Sequence, residues 1–291
     1  MDPTARPRRS ALYMPASNAR AIEKARQLPC DVVILDLEDA VAPDAKIDAR
    51  AAAVAAVRAG GFGRREVVIR VNALGTPWGV EDLAAAAEAA PDAVLAPKVS
   101  TASDVETYSS ALSYAPATQL WAMIETTSAW FHLREIAQSA ERTRLAGFVM
   151  GVNDLAKEMR ARQAPDRAAF IPFLAQSVAA ARMAGLIALD GVHNEIDDLE
   201  ALEAVCRQGA DLGFDGKSVI HPTHLDICNR AFAPEPGELA WARAVVAAFE
   251  RPENREVGAL RVEGRLAERL HLEPCQRLIA TAAAIEAADG G

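Results

Sequence analysis

The stretch DVVILDLEDAVAPDAKIDAR, residues 31–50, decides the fold class of this chain. Its apolar run Val32–Leu35 is typical of a buried strand, because Val/Ile-rich runs of this length favour extended backbone. Three carboxylates follow directly, those of Asp36, Glu38 and Asp39. The carboxyl ends of buried parallel strands are the places where such sheets bind ligands. The stretch therefore predicts an α/β enzyme with an acidic mouth suited to a metal ion.

Short apolar runs recur along the whole chain, with alanine-rich segments typical of helices between them. The runs are Ala11–Met14, Val32–Leu37, Val67–Val71, Ala93–Pro97, Leu120–Ile124, Ala146–Met150, Ile187–Leu189 and the weaker pair Leu212–Phe214 with Val219–Ile220. Eight strand–helix alternations favour a (β/α)8 TIM barrel. The alternative is an open doubly wound sheet, but its dinucleotide fingerprint is missing, since Gly60-Gly61-Phe62-Gly63 has the wrong spacing.

The pattern changes after His221-Pro222, where alanine and leucine recur without a preceding strand. Residues 263–285 there are mostly typical of helix. We therefore expect residues 1–232 to form a TIM-barrel catalytic domain and residues 233–291 to form a helical C-terminal extension.

The bulk composition of the 291-residue chain excludes several classes of protein. Its net charge of −9 argues against a nucleic-acid partner, whose binding requires a basic face. The four cysteines form no C-x-x-C pair, which indicates reduced thiols rather than zinc ligands or disulfides. No run reaches the roughly 18 apolar residues that span a bilayer. The start, MDPTARPRRS, lacks the apolar core of a secretory signal, so we expect a cytoplasmic protein.

Glu125 and Asp154 are the sharpest candidate pair for a metal site. Each follows an apolar run on consecutive predicted strands, so we expect the two carboxylates to converge. Two carboxylates, completed by waters and substrate oxygens, are the usual ligands of Mg²⁺. The alternative is a pair of solvated loop acids, in which Asp154 caps the helix that follows it.

Arg70 ends a predicted strand that is otherwise apolar, and a buried guanidinium requires an anionic partner. That partner is either a substrate carboxylate or a structural one, from Asp36 or Glu38. Both hypotheses stay open at this point.

The other cations and the histidines near the predicted strand ends have an ordinary explanation beside a functional one. The cations either surround a phosphate or form the solvated faces of two helices. The histidines are more often structural than catalytic in such positions. These residues are Arg20, Lys24, Lys46 and Arg50, and His193, His221 and His224.

These residues, in this order, resemble the citrate lyase beta-subunit and malyl-CoA lyase family, which belongs to the phosphoenolpyruvate/pyruvate TIM-barrel superfamily. The resemblance runs from Arg9 to Pro222 and continues weakly to Ile285. The matching segments are RSALYMP (9–15), Asn18, Arg20, Glu23, Lys24, LDLEDAVAP (35–43), Lys46, Arg50, RVN (70–72), PK (97–98), ET (125–126), GVNDL (151–155), DGV (190–192) and GFDGKSVIHP (213–222).

The resemblance implies a TIM barrel that uses Mg²⁺, acts on an acyl-CoA and a small 2-oxo acid, and assembles as a homotrimer or hexamer. It makes Glu125 and Asp154 the metal ligands and assigns Arg70 to the oxygens of the 2-oxo acid. Glu38 and Asp39 would orient Arg70 and the waters on the metal. The residues implied near CoA are Tyr13, Asn18, Arg20, Lys24 and Lys46, with Asn18 where some malyl-CoA lyases carry arginine.

The main departure from the family pattern lies in the C-terminal extension. Lyases of this family often carry an aspartate there, in a segment like G-x-M-x-D-x-P, which reaches the active site of a neighbouring barrel. Residues 264–269 read GRLAER in this chain, with Glu268 at the aspartate position and no proline. Glu268 is therefore the candidate for the carboxylate that moves a proton in carbon–carbon cleavage, and the change puts that chemistry in doubt more than the metal site.

Three functions follow from the resemblance. The first is a Mg²⁺-dependent lyase that cleaves a 3-hydroxyacyl-CoA, such as malyl-CoA or citramalyl-CoA, to acetyl-CoA and a 2-oxo acid. The second is a malyl-CoA thioesterase, in which the same site directs water at the thioester. The third is a citrate lyase beta-like subunit that is inactive without its partner subunit.

Overall fold

The computed structural model describes residues 6–289, in which eight parallel strands close into a barrel. Each strand pairs with the next one along the chain, and the last pairs with the first. The strands are β1 Ser10–Pro15, β2 Val32–Asp36, β3 Glu66–Arg70, β4 Ala93–Ala96, β5 Gln119–Ile124, β6 Leu145–Met150, β7 Ile187–Asp190 and β8 Gly216–Val219. The predicted (β/α)8 barrel is confirmed, and the open doubly wound sheet is excluded.

Helices connect the strands and cover the outside of the barrel. They are α1 Ala19–Ala25, α2 Lys46–Ala59, α3 Gly79–Ala89, α4 Ala102–Ala111, α5 Thr127–Gln138, α6 Val152–Met159, α7 Ile171–Met183, α8 Leu199–Asp211 and α9 Leu225–Ala231. In α2 the buried side chains include Ala49, Ala53 and Ala56, which recur at helical spacing, and their small size lets the helix lie close to the strands. Within residues 6–289, every helix is too short or too polar to span a membrane.

Successive strand residues face opposite sides of the barrel wall. In β1, Ala11 and Tyr13 belong to a small cluster that contains Trp121, whereas Leu12 and Met14 belong to the large cluster shared with the helices. The small cluster fills the barrel, so the interior is a packed core and not a channel. Only the carboxyl rim of the strands is left to form a site.

Buried ion pairs join the strands at the amino-terminal end of the barrel. Arg8 donates to Glu66, with Nε 2.6 Å and Nη2 3.0 Å from the two carboxylate oxygens. Arg9 donates to Asp31 in the same two-point manner, at 2.8 and 2.9 Å. Because all four side chains are buried and mutually paired, removal of any one of them would leave an uncompensated buried charge.

Strand β8 differs from the sequence prediction. The prediction placed it in the apolar runs 212–214 and 219–220, whereas the strand carries Lys217 at its second position. Lys217 is fully buried there, because its ammonium lies 3.0 Å from the buried carboxylate of Asp190 on β7. Local sequence does not reveal a strand whose lysine is neutralised by a distant partner.

The described chain divides into two compact units: the first is Arg8–Phe232, and the second comprises the segment from Ala233 onward together with Arg6 and Pro7. The second unit contains helices α10 Pro236–Glu250 and α11 Leu272–Asp289 and the antiparallel strands β9 Ala259–Val262 and β10 Arg265–Glu268. Its buried side chains form their own cluster, centred on Val245 and Phe249.

The second unit contains helices, as predicted for the extension, but a hairpin takes the place of the first part of the helix expected over residues 263–285. Glu263 and Gly264 connect β9 to β10, and both have positive φ, 49° and 84°. A two-residue loop with positive φ at both positions is the turn that matches the twist of a hairpin. Glu268, expected on a helix, is therefore the last residue of a strand.

Gly216 allows β8 to close against β1, and we predict that Gly216→Ala opens this seam. A Cβ at this position would overlap the carbonyl oxygen of Arg8 and lie 2.8 Å from that of Arg9. Because backbone atoms cannot move aside as a flexible side chain does, the free energy of unfolding should fall by roughly 3 kcal/mol in urea titrations.

Gly75→Ala is the matched control in the same unit, since a Cβ there has nothing within 4 Å. It should change the free energy of unfolding by less than about 0.5 kcal/mol. Equal effects of the two substitutions would contradict the packing argument.

Candidate active site

Arg70 and Asp36 face each other at the carboxyl rim, as register partners at the ends of β3 and β2. The guanidinium donates through Nε and Nη2 to the two carboxylate oxygens of Asp36, both at 2.6 Å. Asp36 is fully buried and also accepts the backbone N–H groups of Glu38 and Ala40, at 2.9 and 3.1 Å. The structural partner foreseen for Arg70 is therefore present, and it holds the guanidinium in one orientation.

The remaining nitrogen of Arg70 faces two further acids. Nη1 lies 3.0 Å from Oε2 of Glu38 and 3.5 Å from Oδ2 of Asp39. The approach to Glu38 is close but poorly aligned, so Oε2 accepts no hydrogen bond among the described residues. Burial raises the pKa of Glu38 to about 7, although the charge of Arg70 acts in the opposite direction. Glu38 is thus a carboxyl group that can hold or release a proton near neutral pH.

Glu125 and Asp154 converge on one cation, the ammonium of Lys98, which follows β4. Its Nζ lies 3.5 Å from Oε1 of Glu125 and contacts Oδ2 of Asp154. Burial raises the pKa of Glu125, while Lys98 acts to lower it. Asp154 does not cap helix α6, because Gly151 occupies the N-cap position of that helix. The side chain of Asp154 is one-third exposed. The two carboxylates therefore converge at the carboxyl rim, as the sequence predicts.

The backbone around these carboxylates is shaped to receive them. A Cβ at Gly151 would overlap Cβ and Oε2 of Glu125, so only glycine lets the chain pass there. Lys98 has φ of +56°, a left-handed conformation that costs a side-chain-bearing residue on the order of 1 kcal/mol. Its backbone N–H donates to Oε1 of Glu125 at 2.8 Å, which places that carboxylate and retains the strained conformation.

The donor set suits a hard divalent cation. Glu125 and Asp154 offer carboxylate oxygens, and the ammonium of Lys98 shows that a positive charge is accommodated between them. Within residues 6–289, no group of three or more His, Cys, Asp or Glu side chains is placed to hold a metal. Two carboxylates completed by water and substrate oxygens match Mg²⁺, which retains several waters, better than a soft metal.

The residues expected near CoA fall into two groups. Asn18, Arg20 and Lys24 are exposed at the start of and along α1, where Asn18 caps the helix by accepting the N–H of Ala21 at 3.1 Å. Their side chains are therefore open to a ligand.

Tyr13 and Lys46 are instead buried. The ring of Tyr13 lies 4.7 Å from the guanidinium carbon of Arg70, and burial raises its pKa above the ordinary value. Lys46 donates to Leu37 O, Glu38 O and Asn72 Oδ1 at 2.7, 2.6 and 2.7 Å. Both residues therefore support the rim from below, and Lys46 holds the loop that carries Glu38.

A second charged network, which sequence reasoning did not assemble, lies at the ends of β7 and β8. Nη1 of Arg167 lies 2.8 Å from both oxygens of Asp190, and Lys217 completes the group. Burial acts to raise the pKa of Asp190, but the charges of Lys217 and Arg167 outweigh it and lower that pKa. Asp190 and Lys217 fall in segments that carry the family resemblance, DGV (190–192) and GFDGKSVIHP (213–222), whereas Arg167 lies in a loop and gave no signal.

A cavity of about 230 Å³ adjoins this network. It is lined by Val152, Arg167, Phe170, Val192, His193 and Val205, among others. Of the three histidines, His193 alone lines it, while His224 is fully buried and its Nε2 lies 3.0 Å from Ile196 O. His221 contacts Thr223 at 2.8 Å, so it orders its own turn.

Glu268 belongs to the second unit. Its carboxylate accepts the backbone N–H of His271, and the His271 ring nitrogen Nδ1 lies 2.8 Å from the Glu268 backbone N–H. This reciprocal pair caps the turn 269–271 that leads into α11. The carboxylate thus has a local structural partner, which the sequence pattern did not indicate.

Comparison with known proteins shows the family to which this chain belongs. The family model described as HpcH/HpaI aldolase/citrate lyase matches residues 9–222. A (3S)-malyl-CoA thioesterase of Cereibacter sphaeroides is 46% identical over 283 residues, 97% of each chain. An L-malyl-CoA/beta-methylmalyl-CoA lyase of the same species is 30% identical over 312 residues, 98% of each chain.

One solved structure is similar over nearly the whole chain. It is the protein CitE of Mycobacterium tuberculosis in complex with magnesium, acetoacetate and coenzyme A. The match has a TM-score of 0.78 and 30% identity, and it covers 96% of this chain and 99% of the other.

We predict that the raised pKa of Glu38 makes stability depend on pH. Its pKa is about 7 in the folded protein and near 4.5 when exposed, so between these values the folded state holds a proton that the unfolded state releases. The contribution of this group to stability therefore falls as pH rises from about 4.5 to 7 and stays low above it. Glu38→Gln lacks this loss, so its stability relative to the unsubstituted protein should rise by about 2 kcal/mol between pH 5 and pH 8.

The measurement is urea unfolding in the presence of EDTA at a series of pH values. Glu88→Gln is the matched control, because the same substitution is made at a side chain that is 76% exposed, and its pH profile is the baseline for comparison. A flat difference for Glu38→Gln, relative to this baseline, would show that Glu38 is ionised at pH 5.

Proposed function

The chain belongs to the HpcH/HpaI aldolase/citrate lyase family, and on that premise we propose that it is a Mg²⁺-dependent thioesterase acting on malyl-CoA. The observation that carries the proposal is the 46% identity, over 97% of both chains, to a (3S)-malyl-CoA thioesterase. The site supports it, because two converging carboxylates and a fixed guanidinium lie at the rim where this fold carries its chemistry.

Glu125 and Asp154 would hold the Mg²⁺. Bound there, the ion supplies Lewis-acid polarisation of a substrate oxygen and charge to balance the surrounding acids. The magnesium in the complex of the related CitE protein supports the choice of metal.

Arg70 would bind the acyl end of the substrate. Asp36 occupies its Nε and Nη2, which leaves Nη1 as the donor for a substrate oxygen that displaces the Glu38 carboxylate from it. Because Asp36 and the ring of Tyr13 fix the guanidinium plane, the donor is already oriented before substrate arrives.

Glu38 would be the proton carrier in hydrolysis, with Asp39 beside it orienting water. As water attacks the thioester carbonyl, a proton passes from the water to Oε2 of Glu38 while the C–O bond forms. The C–S bond then breaks, and the proton passes to the sulfur of CoA. A carboxyl with a pKa near 7 is suited to both transfers.

The exposed side chains on α1 would bind the rest of CoA. Arg20 and Lys24 are exposed and could pair with the phosphates of CoA, and Asn18 is the N-cap residue of the same helix. Lys46 would contribute through the loop it holds. We also propose that residues 1–232 act as the catalytic domain and that residues 233–291 contact a neighbouring subunit of a homotrimer or hexamer.

The second candidate function is carbon–carbon cleavage of malyl-CoA or citramalyl-CoA to acetyl-CoA and a 2-oxo acid. The L-malyl-CoA/beta-methylmalyl-CoA lyase that is 30% identical to this chain, over 98% of its length, favours this reaction. Both reactions use the same metal and guanidinium. They differ in the proton transfer: in hydrolysis water loses a proton, whereas in carbon–carbon cleavage the departing acetyl group gains one. A citrate lyase beta-like subunit, the third candidate, would give neither product alone.

Incubation of the purified protein with malyl-CoA and Mg²⁺ should yield free CoA-SH and malate. Chromatography of the CoA species measures the outcome, with EDTA as the control without metal. Acetyl-CoA with glyoxylate would establish the lyase instead, and no product would favour the partner-dependent subunit. Glu125→Gln and Asp154→Asn should each lower turnover by at least about 10²-fold, since each removes a charged metal ligand.

Glu268→Ala tests the contribution of the second unit. If the reaction is hydrolysis with Glu38 as proton carrier, this variant should retain activity within about tenfold, because general acid–base groups typically contribute 10²–10⁴-fold. A loss of about 10²-fold or more, with Glu268→Asp active, would favour Glu268 as the proton-moving carboxylate of a lyase.

A further inference from the structure

Lys98 is the one residue of the metal-competent site that the proposed chemistry does not use. Its ammonium bridges Glu125 and Asp154, at 3.5 Å from the first and in contact with the second. Glu125 follows β5 and Asp154 lies in α6, two segments that also meet through the hydrogen bond that the Gly151 N–H donates to Ile124 O at 3.1 Å. The lysine adds the one ion pair that links the two carboxylates themselves among the described residues. It stands where a divalent cation would be held.

The charge distribution explains why a cation is required there. Five carboxylates lie at this rim, those of Asp36, Glu38, Asp39, Glu125 and Asp154, against three cations, Arg70, Lys98 and the buried Lys46 beneath the Glu38 loop. Arg70 is committed to the acids of β2 and its loop. Glu125 is 2% exposed, so a full negative charge there is costly without a partner. Lys98 is the partner available to it when no metal is bound.

The two ends of Lys98 are held differently. Its backbone N–H donates to Glu125 at 2.8 Å, and its carbonyl accepts the hydroxyl of Ser100 at 3.1 Å. Its side chain is 38% exposed, so the ammonium can leave toward solvent without disturbing the packed core. The backbone contact can thus persist while the ammonium exchanges with another cation.

We propose that Lys98 is a positioning residue that acts as the resident counter-ion of the metal site: it holds Glu125 and Asp154 together in the metal-free protein and must be displaced when Mg²⁺ binds. This inference rests on the metal site of the proposed function. Lys98 therefore lowers the affinity for the metal while it preserves the arrangement of the ligands.

Mn²⁺ binding to the full-length protein tests this directly, with free Mn²⁺ measured by electron paramagnetic resonance. Lys98→Met retains side-chain length and backbone preference but removes the charge, so it should bind Mn²⁺ roughly 5- to 30-fold more tightly, as expected for loss of a partly exposed ion pair with two carboxylates. Lys98→Arg retains a competing cation and should stay near the unsubstituted protein. Lys157→Met, exposed on the helix that carries Asp154, removes the same charge as a control and should change the affinity much less.

Thermal unfolding gives a second readout that a merely structural lysine would not reproduce. Lys98→Met should melt at a lower temperature than the unsubstituted protein in EDTA, and the gap should close at saturating Mn²⁺, because the lysine stabilises only the metal-free form. Unchanged or weaker Mn²⁺ binding by Lys98→Met, or a gap that persists with metal, overturns the proposal.

Glu125→Gln separates this inference from the proposed function. If Glu125→Gln abolishes Mn²⁺ binding while Lys98→Met leaves it unchanged, the metal site stands and the role of Lys98 falls. If Mn²⁺ binds equally well to Glu125→Gln, or does not bind the unsubstituted protein, both fall together.

Discussion

The two-point ion pair between Arg70 and Asp36 is the interaction on which the whole rim depends. Because the two residues are register partners on adjacent strands, a slip of one residue would turn the guanidinium toward the helices. The same carboxylate also fixes the backbone at Glu38 and Ala40, and Lys46 holds that loop from beneath. The buried carboxylate of Asp36, placed by the strand register, thus fixes both the loop that carries Glu38 and the guanidinium of Arg70.

The rim is defined by its shortage of positive charge more than by its shape. Carboxylates outnumber cations there, and Glu38 and Glu125 respond to this excess of negative charge differently. Glu38 becomes a group with a pKa near 7, and Glu125 takes the nearest ammonium as its partner. A divalent ion relieves both at once, since it brings the charge that Arg70 and Lys98 do not supply. The affinity of such a rim for metal and its readiness to bind protons have the same physical origin.

The barrel and the positions of its rim residues could be predicted from sequence, because both depend on short-range patterns. Apolar runs at regular spacing locate β1 to β7, and parallel strands bring their carboxyl ends to one rim, which places Arg70, Glu125 and Asp154 correctly. What failed depends on long-range pairing. Lys217 lies inside a strand because Asp190 receives it, and the partner of Arg70 could not be chosen between substrate and Asp36 without coordinates. The hairpin that ends at Glu268 was missed because positive φ at Glu263 leaves no mark in composition.

The pairing of β1 with β8 has a consequence for the order in which the molecule is made. Ser10 finds its neighbour Lys217 roughly 200 residues later, so during synthesis the first strand is complete long before its final partner exists. Until Gly216–Val219 leaves the ribosome, the growing sheet has two unpaired edges that can join another chain. Every rim residue from Arg70 to Asp154 is synthesised within that interval. All the acidic residues of the rim are thus synthesised before the final seam can close, and closure of that seam completes a barrel formed by one chain.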